Sequence, residues 1–352
     1  MLNSLYIEAA RKRGSIKEII PDIEGNSIVL DKWDEKTIKN SDEDFSIGAG
    51  DGSFNKKKFL GFNFYAVAAE SLIFDGQLKT IEQSDIDKFP YLPYLDEFLS
   101  NYMSIFELKC CLSSLEEYNV DYYLIDGSIY GDLQNPFPRG VETSAKAKKD
   151  LISATLNDFE DKIKNPADRS VFSPKLFDRY FKIYEEHKYP YTLYLTTIEK
   201  LVVLKEILKN PKKMIAISKS SSNNDIFHSN IPDIAIFDKY TYKQGISKII
   251  RKKVSEDINT SFSVYDEFFK DLKFTIFYLR LADYKNVLKI ELPYDASMAE
   301  IEEIVSKLKK FSTNGYPYLL KKAHNDVVIS DKNIKELINI AKVREKSGRE
   351  ML

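Results

Sequence analysis

The sequence predicts an α/β fold, one mixed sheet flanked by helices, on three observations. Apolar runs phased for strands crowd residues 45–75, with Gly- and Asp-containing turn signals between them. The apolar spacing then changes from 2 to 3.6 over residues 94–118. Finally, residues 120–125 form an apolar run without alternation, as expected of a central strand covered on both faces. The order implies three antiparallel strands followed by a parallel one, decorated with insertions.

Each element follows from local chemistry. The chain opens with a helix, SLYIEAARKR, and an irregular charged arm around Pro21 and Gly25. FSIGAGD, FLGFNFYAVAA and SLIFDG read as three strands, punctuated at residues 51–55 and at Asp75-Gly76. In the helix that follows, Leu95, Phe98, Leu99, Tyr102, Phe106, Leu112 and Leu115 form one apolar face. Helices are expected at 142–163, 173–187 and 192–209, then a strand at 214–217. The Ser- and Asn-rich residues 218–230 read as a mobile loop. Strands near 273–281 and 286–292 suit a hairpin, and Ser297 with Glu300 suits a capping box opening the next helix. NGYPYLLKKAHNDVVIS leads into a last helix from about Asp331. There is no internal repeat, low-complexity tract or clear linker.

Bulk properties narrow the function classes. A chain of 352 residues suits two domains or one large domain with insertions, and 43% apolar residues argue against global disorder. Lys+Arg number 52 against 54 Asp+Glu, a net charge of -2, so any nucleic-acid partner needs a local basic surface. Cys110 and Cys111 are adjacent and give neither a disulfide framework nor zinc-ligand spacing. The start has no long apolar stretch, and no segment is apolar enough for a membrane span, which points to a cytoplasmic protein. Twenty-two tyrosines and 30% charged residues resemble heat-adapted archaeal composition.

Two triplets carry the chemistry, Asp51-Gly52-Ser53 and Asp126-Gly127-Ser128, each closing an apolar run. Strand phasing puts Phe45, Ile47, Ala49 and Asp51 on one face, and Tyr122, Leu124 and Asp126 in phase. Neighbouring strands would bring both aspartates to one sheet edge. Glu107 has Met103, Ser104, Cys110 and Cys111 as its helical neighbours, none charged. Desolvating such a carboxylate is costly, and a bound cation or pairing with Lys109 or an arginine would offset it. Either triplet alone reads first as a turn. In the order strand, helix, strand, the acids suit Mg²⁺ or Mn²⁺ and phosphodiester hydrolysis.

The ordered segments AGDGSFN, a helix glutamate, LIDGSIYGDL, IAISKSS and GYPYLLKKAHNDVVIS resemble the NurA nuclease family, from about residue 45 to the final helix. The resemblance implies an RNase H-like core, a mixed five-stranded sheet with helical and β insertions. That core would span about 45–220 plus 286–345 of a single domain, with an arm at 1–44 and an insertion at 220–285. It implies a Mn²⁺- or Mg²⁺-dependent deoxyribonuclease holding two ions. The expected activities are 5′-to-3′ exonuclease on single- and double-stranded DNA and single-strand endonuclease. The family acts in double-strand-break end resection, as a homodimer on the hexameric HerA translocase. By position, Asp51, Glu107, Asp126 and His324 look like metal ligands, and Lys219 like the lysine beside the scissile phosphate. Tyr316 and Tyr318 flank Pro317 in the family's GYPYPL-like motif, with Leu319 in place of the second proline.

The residues bear on these roles in their own right. Lys219 ends an apolar strand, where a surface lysine is the ordinary reading, and His324 lies beside Lys321 and Lys322. Tyr316 and Tyr318 suit base stacking or packing beside a proline turn. Lys56-Lys57-Lys58, Lys212-Lys213, Arg251-Lys252-Lys253 and Lys321-Lys322 are candidate DNA-gripping patches, Lys56 and Lys57 nearest Asp51. Two other classes stay open. An actin-like or sugar-kinase-like ATPase would use the Asp-Gly turns for Mg-phosphate, although the chain has no G-x-G cluster beyond the one that begins at Gly48-Ala49-Gly50. A non-catalytic adaptor of a motor ATPase would need none of the acids.

Overall fold

Long antiparallel pairing shapes the first third of the chain. The computed structural model describes residues 2–17, 26–137, 143–257 and 261–343. After a short strand, Trp33–Glu35 (β1), the strands Ile47–Lys58 (β2), Asn63–Phe74 (β3) and Leu78–Phe89 (β4) form a meander. The strands are segmented differently from the expectation. Asp51-Gly52-Ser53 does not turn, because Asp51, Gly52 and Ser53 stay paired with Glu70, Ala69 and Ala68, and β2 runs on to Lys58. The stretches expected as two strands merge into β3. The sequence hid β4, whose core-side positions between Ile81 and Phe89 are Gln83, Asp85 and Asp87 and so break the alternation.

The second triplet does turn. Gly127 has φ +130, a value that favours glycine, and Ser128 caps the Ile129–Gln134 helix by accepting from the Gly131 N–H at 2.8 Å. It follows Tyr122–Asp126 (β5), which runs parallel to β2 and to Met214–Ser218 (β6). The remaining strands of the large sheet are Gly245–Ser247 (β7), Ile250–Lys253 (β8), Lys273–Arg280 (β9) and Leu288–Leu292 (β10), while Ser312–Thr313 and Tyr316–Pro317 pair apart from it. The sheet order is β1-β7-β9-β10-β6-β5-β2-β3-β4, with β8 on β9. The sheet therefore has ten strands rather than five, because the expected β9–β10 hairpin joins β6 and brings β1, β7 and β8 with it.

Helices cover both faces. The Leu95–Glu117 and Lys188–Ile207 helices pack on one side through Phe98, Tyr102, Phe106, Leu201 and Val203. On the other, Met298–Lys310 and Tyr318–Val327 pack through Ile301, Val305, Leu320 and Ala323. The Ser297–Glu300 capping box is present. The expected helices appear as Asn3–Arg11, Ala145–Ile163, Ser173–Tyr180 with a 3₁₀ turn at Lys182–His187, and Asp331–Ile340. Tyr318–Val327 is a helix that the sequence reading missed. The arm around Pro21 and Gly25, and residue 142, lie outside the described residues. Residues 219–230 hold no helix or strand. No helix among the described residues is long and apolar enough to cross a membrane.

One buried ion pair fixes the register of the Glu107 helix. The Lys109 ammonium donates to Glu199 at 2.6 Å and to the Ser170 carbonyl at 2.5 Å, and stands 3.5 Å from the centre of the Phe172 ring. Glu199 also accepts from the Phe172 and Ser173 amides. The alternative in which Lys109 neutralises Glu107 is thereby corrected. Lys109 serves Glu199 and leaves Glu107 without that counter-ion.

Candidate active site

Strand phase brings the two aspartates together as expected. Ile47, Ala49 and Leu124 point into the core beneath the His324 helix, and Asp51 and Asp126 follow them in the two-residue repeat. β2 and β5 are adjacent and parallel, so Asp51, in mid-strand, and Asp126, at a strand end, reach the same crevice. Glu107 arrives from the opposite face of the sheet. It reaches the crevice because Gly52 has no side chain: a Cβ there would stand 2.3 Å from Glu107 Oε1 and 2.6 Å from Met103 Cγ. Gly52 thus allows a close approach and makes no turn.

The crevice, about 220 Å³, is lined by Asp51, Glu107, Asp126, Asp132 and Lys200, with Met103 and Leu204 as apolar walls. Among the described residues, each acid lining the crevice except Glu107 has a bonded partner. His324 Nδ1 meets Asp51 Oδ2 at 2.7 Å, and the Gly52 N–H donates to Asp51 Oδ1 at 2.9 Å. Lys219 donates to Asp126 at 2.7 Å, and Lys200 pairs with Asp132 at 2.9 Å. Burial pushes the Glu107 carboxyl up to about 8, with Asp51 the next cause and Lys200 opposing.

The remaining expected residues divide. Tyr316 lies inside the site rather than on a stacking surface. Its ring lies 4.9 Å from the Lys219 ammonium, and its buried hydroxyl faces Asp126 without a well-formed hydrogen bond. Burial, then Asp126 and Asp51, raise its pKa. Tyr318 is half exposed at the start of the His324 helix. Lys56 sits five residues along β2 from Asp51, about 17 Å away, and pairs with Asp96. Lys57 lies on the alternate face, 5.7 Å from the Phe59 ring. The other basic patches are largely engaged by acids: Lys212 with Glu300, Arg251 with Asp295, Lys252 with Asp225 and Lys322 with Asp326.

Sequence reasoning missed Asp132, Lys200 and Glu70. Asp132 stood in the quoted LIDGSIYGDL segment and could have been noticed as a further acid. Lys200 sat in a largely apolar, buried helix with no distinguishing signal. Glu70 lies opposite Asp51 in register, is 8% exposed and keeps one oxygen unpartnered. Burial raises its pKa to about 7, followed by Asp326 and Glu82.

Among the described residues no three His, Cys, Asp or Glu side chains form a ready metal-holding group. Electrostatics explains the arrangement: the aspartates hold Lys219 and His324, which keeps like charges apart. The residues nevertheless fit a divalent cation. The donors are hard carboxylate oxygens with one imidazole, and among the described residues the largely buried Glu107 carboxyl has no ion-pair partner, Lys200 opposing its desolvation only in part.

Gly52→Ala tests the geometry. The added methyl must displace Glu107 Oε1 and also the Cγ atoms of Glu107 and Met103, which lie close to the helix backbone, so the fold should survive at a cost of about 1–3 kcal/mol and a melting temperature lowered by several degrees. Activity should fall by about tenfold or more, because misplacement by about 1 Å is costly in a site of this kind. Cleavage rate and thermal melting read the two effects.

Comparison with known proteins points to one family. The model of the NurA domain matches residues 45–329. The chain is 28% identical to the probable DNA double-strand break repair nuclease NurA of Methanocaldococcus jannaschii, over 92% of this chain and 85% of that protein. It superposes on the crystal structure of the NurA nuclease from Sulfolobus solfataricus with a TM-score of 0.74 and 25% identity, covering 97% of both chains. The fold is also that of a NurA crystal structure bound to dAMP and manganese, at a TM-score of 0.71 and 16% identity, covering 99% of this chain and 98% of that one.

Proposed function

Since the chain belongs to the NurA family, we propose that it is a divalent-metal-dependent deoxyribonuclease acting in double-strand-break end processing. The observation that carries the reading is the convergence of Asp51, Glu107 and Asp126 from three separate elements on one crevice. The names of its relatives and the manganese-bound family structure support the same reading. Asp51, Glu107, Asp126 and His324 would hold Mn²⁺ or Mg²⁺, as two ions. Bound there, the metal supplies Lewis acidity that activates water and stabilises the leaving oxygen.

The chain's own groups do the rest. Lys219, held over the Tyr316 ring by Asp126, places a positive charge at the end of β6 for the scissile phosphate. His324 buttresses Asp51 and fixes its orientation. Met103 and Leu204 exclude water from one wall of the crevice. Tyr318, half exposed, suits base stacking, while Lys56 and Lys57 lie farther out where they can meet the DNA backbone.

The finer reading follows the family. It comprises 5′-to-3′ exonuclease activity on single- and double-stranded DNA, single-strand endonuclease activity, a homodimer and a HerA-type translocase partner. The five-strand segment β4-β3-β2-β5-β6, with β2, β5 and β6 parallel, supports an RNase H-like core within a single domain.

The test is direct. Purified protein with Mn²⁺ should cut a 5′-labelled single strand, and excess chelator should stop it. A folded protein that leaves the strand intact with Mn²⁺ refutes the reading.

A further inference from the structure

Two charged residues on β10, Lys289 and Glu291, are 1% and 0% exposed and take no place in the crevice. They lie on the sheet face opposite the apolar Leu288, Ile290 and Leu292. Lys289 donates to Glu291 Oε1 at 2.7 Å. The same oxygen accepts from Ser128 Oγ at 2.5 Å, and Glu291 Oε2 accepts from the Tyr130 N–H at 3.0 Å. Glu291 therefore grips the turn that directly follows Asp126. Lys289 reaches the other way and donates to Asn223 Oδ1 at 3.1 Å. Asn223 lies four residues beyond Lys219, in the loop that leaves β6. Its side-chain amide donates to Asp225, which Lys252 holds in turn at 2.7 Å. Ser218 Oγ closes the link between the two segments by donating to the Gly127 carbonyl at 2.8 Å.

Stability alone does not account for this pair. Burying two charges costs about as much as their attraction returns, and packed apolar residues commonly stabilise such a position more. What ionic bonding adds is direction: fixed donors and acceptors that apolar side chains lack. Both segments it fixes carry one member of the Asp126–Lys219 pair.

We propose that Glu291, with Lys289, is a positioning residue that sets the aim of Asp126 and Lys219 toward the metal and the scissile phosphate. This rests on the nuclease reading above. Glu291 touches neither metal nor DNA; it acts through the turn and the loop. In Glu291→Gln the amide offers one acceptor in place of two: its oxygen can keep the Tyr130 N–H while its NH₂ faces Ser128 and Lys289, so Lys289 keeps Asn223 but loses Glu291 and the two segments can shift relative to one another.

The experiment uses the full chain and the variant Glu291→Gln, with kinetics on single-stranded DNA, Mn²⁺ calorimetry and thermal melting. kcat should fall about tenfold to a hundredfold, with KM for DNA within about twofold, since the DNA-contacting surface is untouched. Mn²⁺ should bind several times more weakly, because Asp126 is a ligand whose turn has loosened. The double variant Lys289→Met/Glu291→Met removes both charges but leaves the Tyr130 N–H and the Ser128 hydroxyl without their acceptor, so the melting temperature should fall by several degrees while kcat stays low. Wild-type kcat and Mn²⁺ affinity in Glu291→Gln overturn the proposal. So does a double variant that recovers kcat along with stability, since the role would then be packing. A wild type that binds Mn²⁺ but is inert on DNA refutes the nuclease reading separately. Calorimetry then still decides, equal affinities in wild type and Glu291→Gln overturning the positioning role.

Discussion

Asp51→Ala is expected to abolish DNA cleavage, lowering the rate by at least about 10²–10³-fold, while the protein stays folded. Asp51 stands in the middle of a twelve-residue strand whose backbone bonds do not depend on its side chain. Among the described residues its carboxylate bonds only the adjacent Gly52 N–H and His324. Removing it deletes the charge that bridges the Glu107 side of the crevice and the His324 side. It also relieves Glu107, because Asp51 is the second cause, after burial, of that carboxyl's raised pKa. Stability should therefore change by no more than about 1 kcal/mol. Initial rates with Mn²⁺ and thermal melting read both quantities. A variant that cuts at the wild-type rate removes Asp51 from the mechanism.

Glu107→Gln should move activity and stability in opposite directions. Cleavage should fall by about 10²-fold or more, since a neutral amide replaces a carboxylate ligand. Stability should rise, with a pH dependence whose sign is fixed. The folded-state pKa, about 8, lies above the ordinary value of 4.5. At low pH both states are protonated and nothing is lost. As pH climbs through the ordinary value, the unfolded chain ionises freely while the folded one resists, so the wild type loses stability up to about pH 8. The glutamine variant lacks this loss. Its advantage should be negligible near pH 4 and reach about 1–3 kcal/mol by pH 9, limited because part of Glu107 still meets solvent. Mn²⁺ binding in the wild type should tighten over the same range, releasing a proton from Glu107. Denaturant melts from pH 4 to 9 check the first point. Equal stability of the two proteins at pH 9 would mean that Glu107 is not desolvated.

The site was more legible in the sequence than the sheet that builds it. Two-residue phasing placed Asp51 and Asp126 on one face, and the lack of charged neighbours marked Glu107 as a buried acid; both readings rest on short-range geometry. What the Asp51 triplet does was misread, because Asp-Gly-Ser has turn chemistry in isolation. Pairing with β3 overrides that preference, and Gly52 instead makes room for Glu107. β4 was invisible because Gln83, Asp85 and Asp87 occupy its core-side positions. Lys200 and Glu291 gave no local signal. Their neighbours come from more than 60 residues away, through a topology that periodicity does not encode.

The central claim is that Asp51, Glu107 and Asp126 share bound metal across the sheet. Crystals soaked in Mn²⁺ and measured at the manganese absorption edge test it most directly. The expected anomalous peak lies in the crevice, within about 2.5 Å of oxygens from all three carboxylates, with Lys219 no longer bonded to Asp126. A peak elsewhere, or none in crystals whose Asp126 still holds Lys219 and whose Asp51 still holds His324, would contradict it.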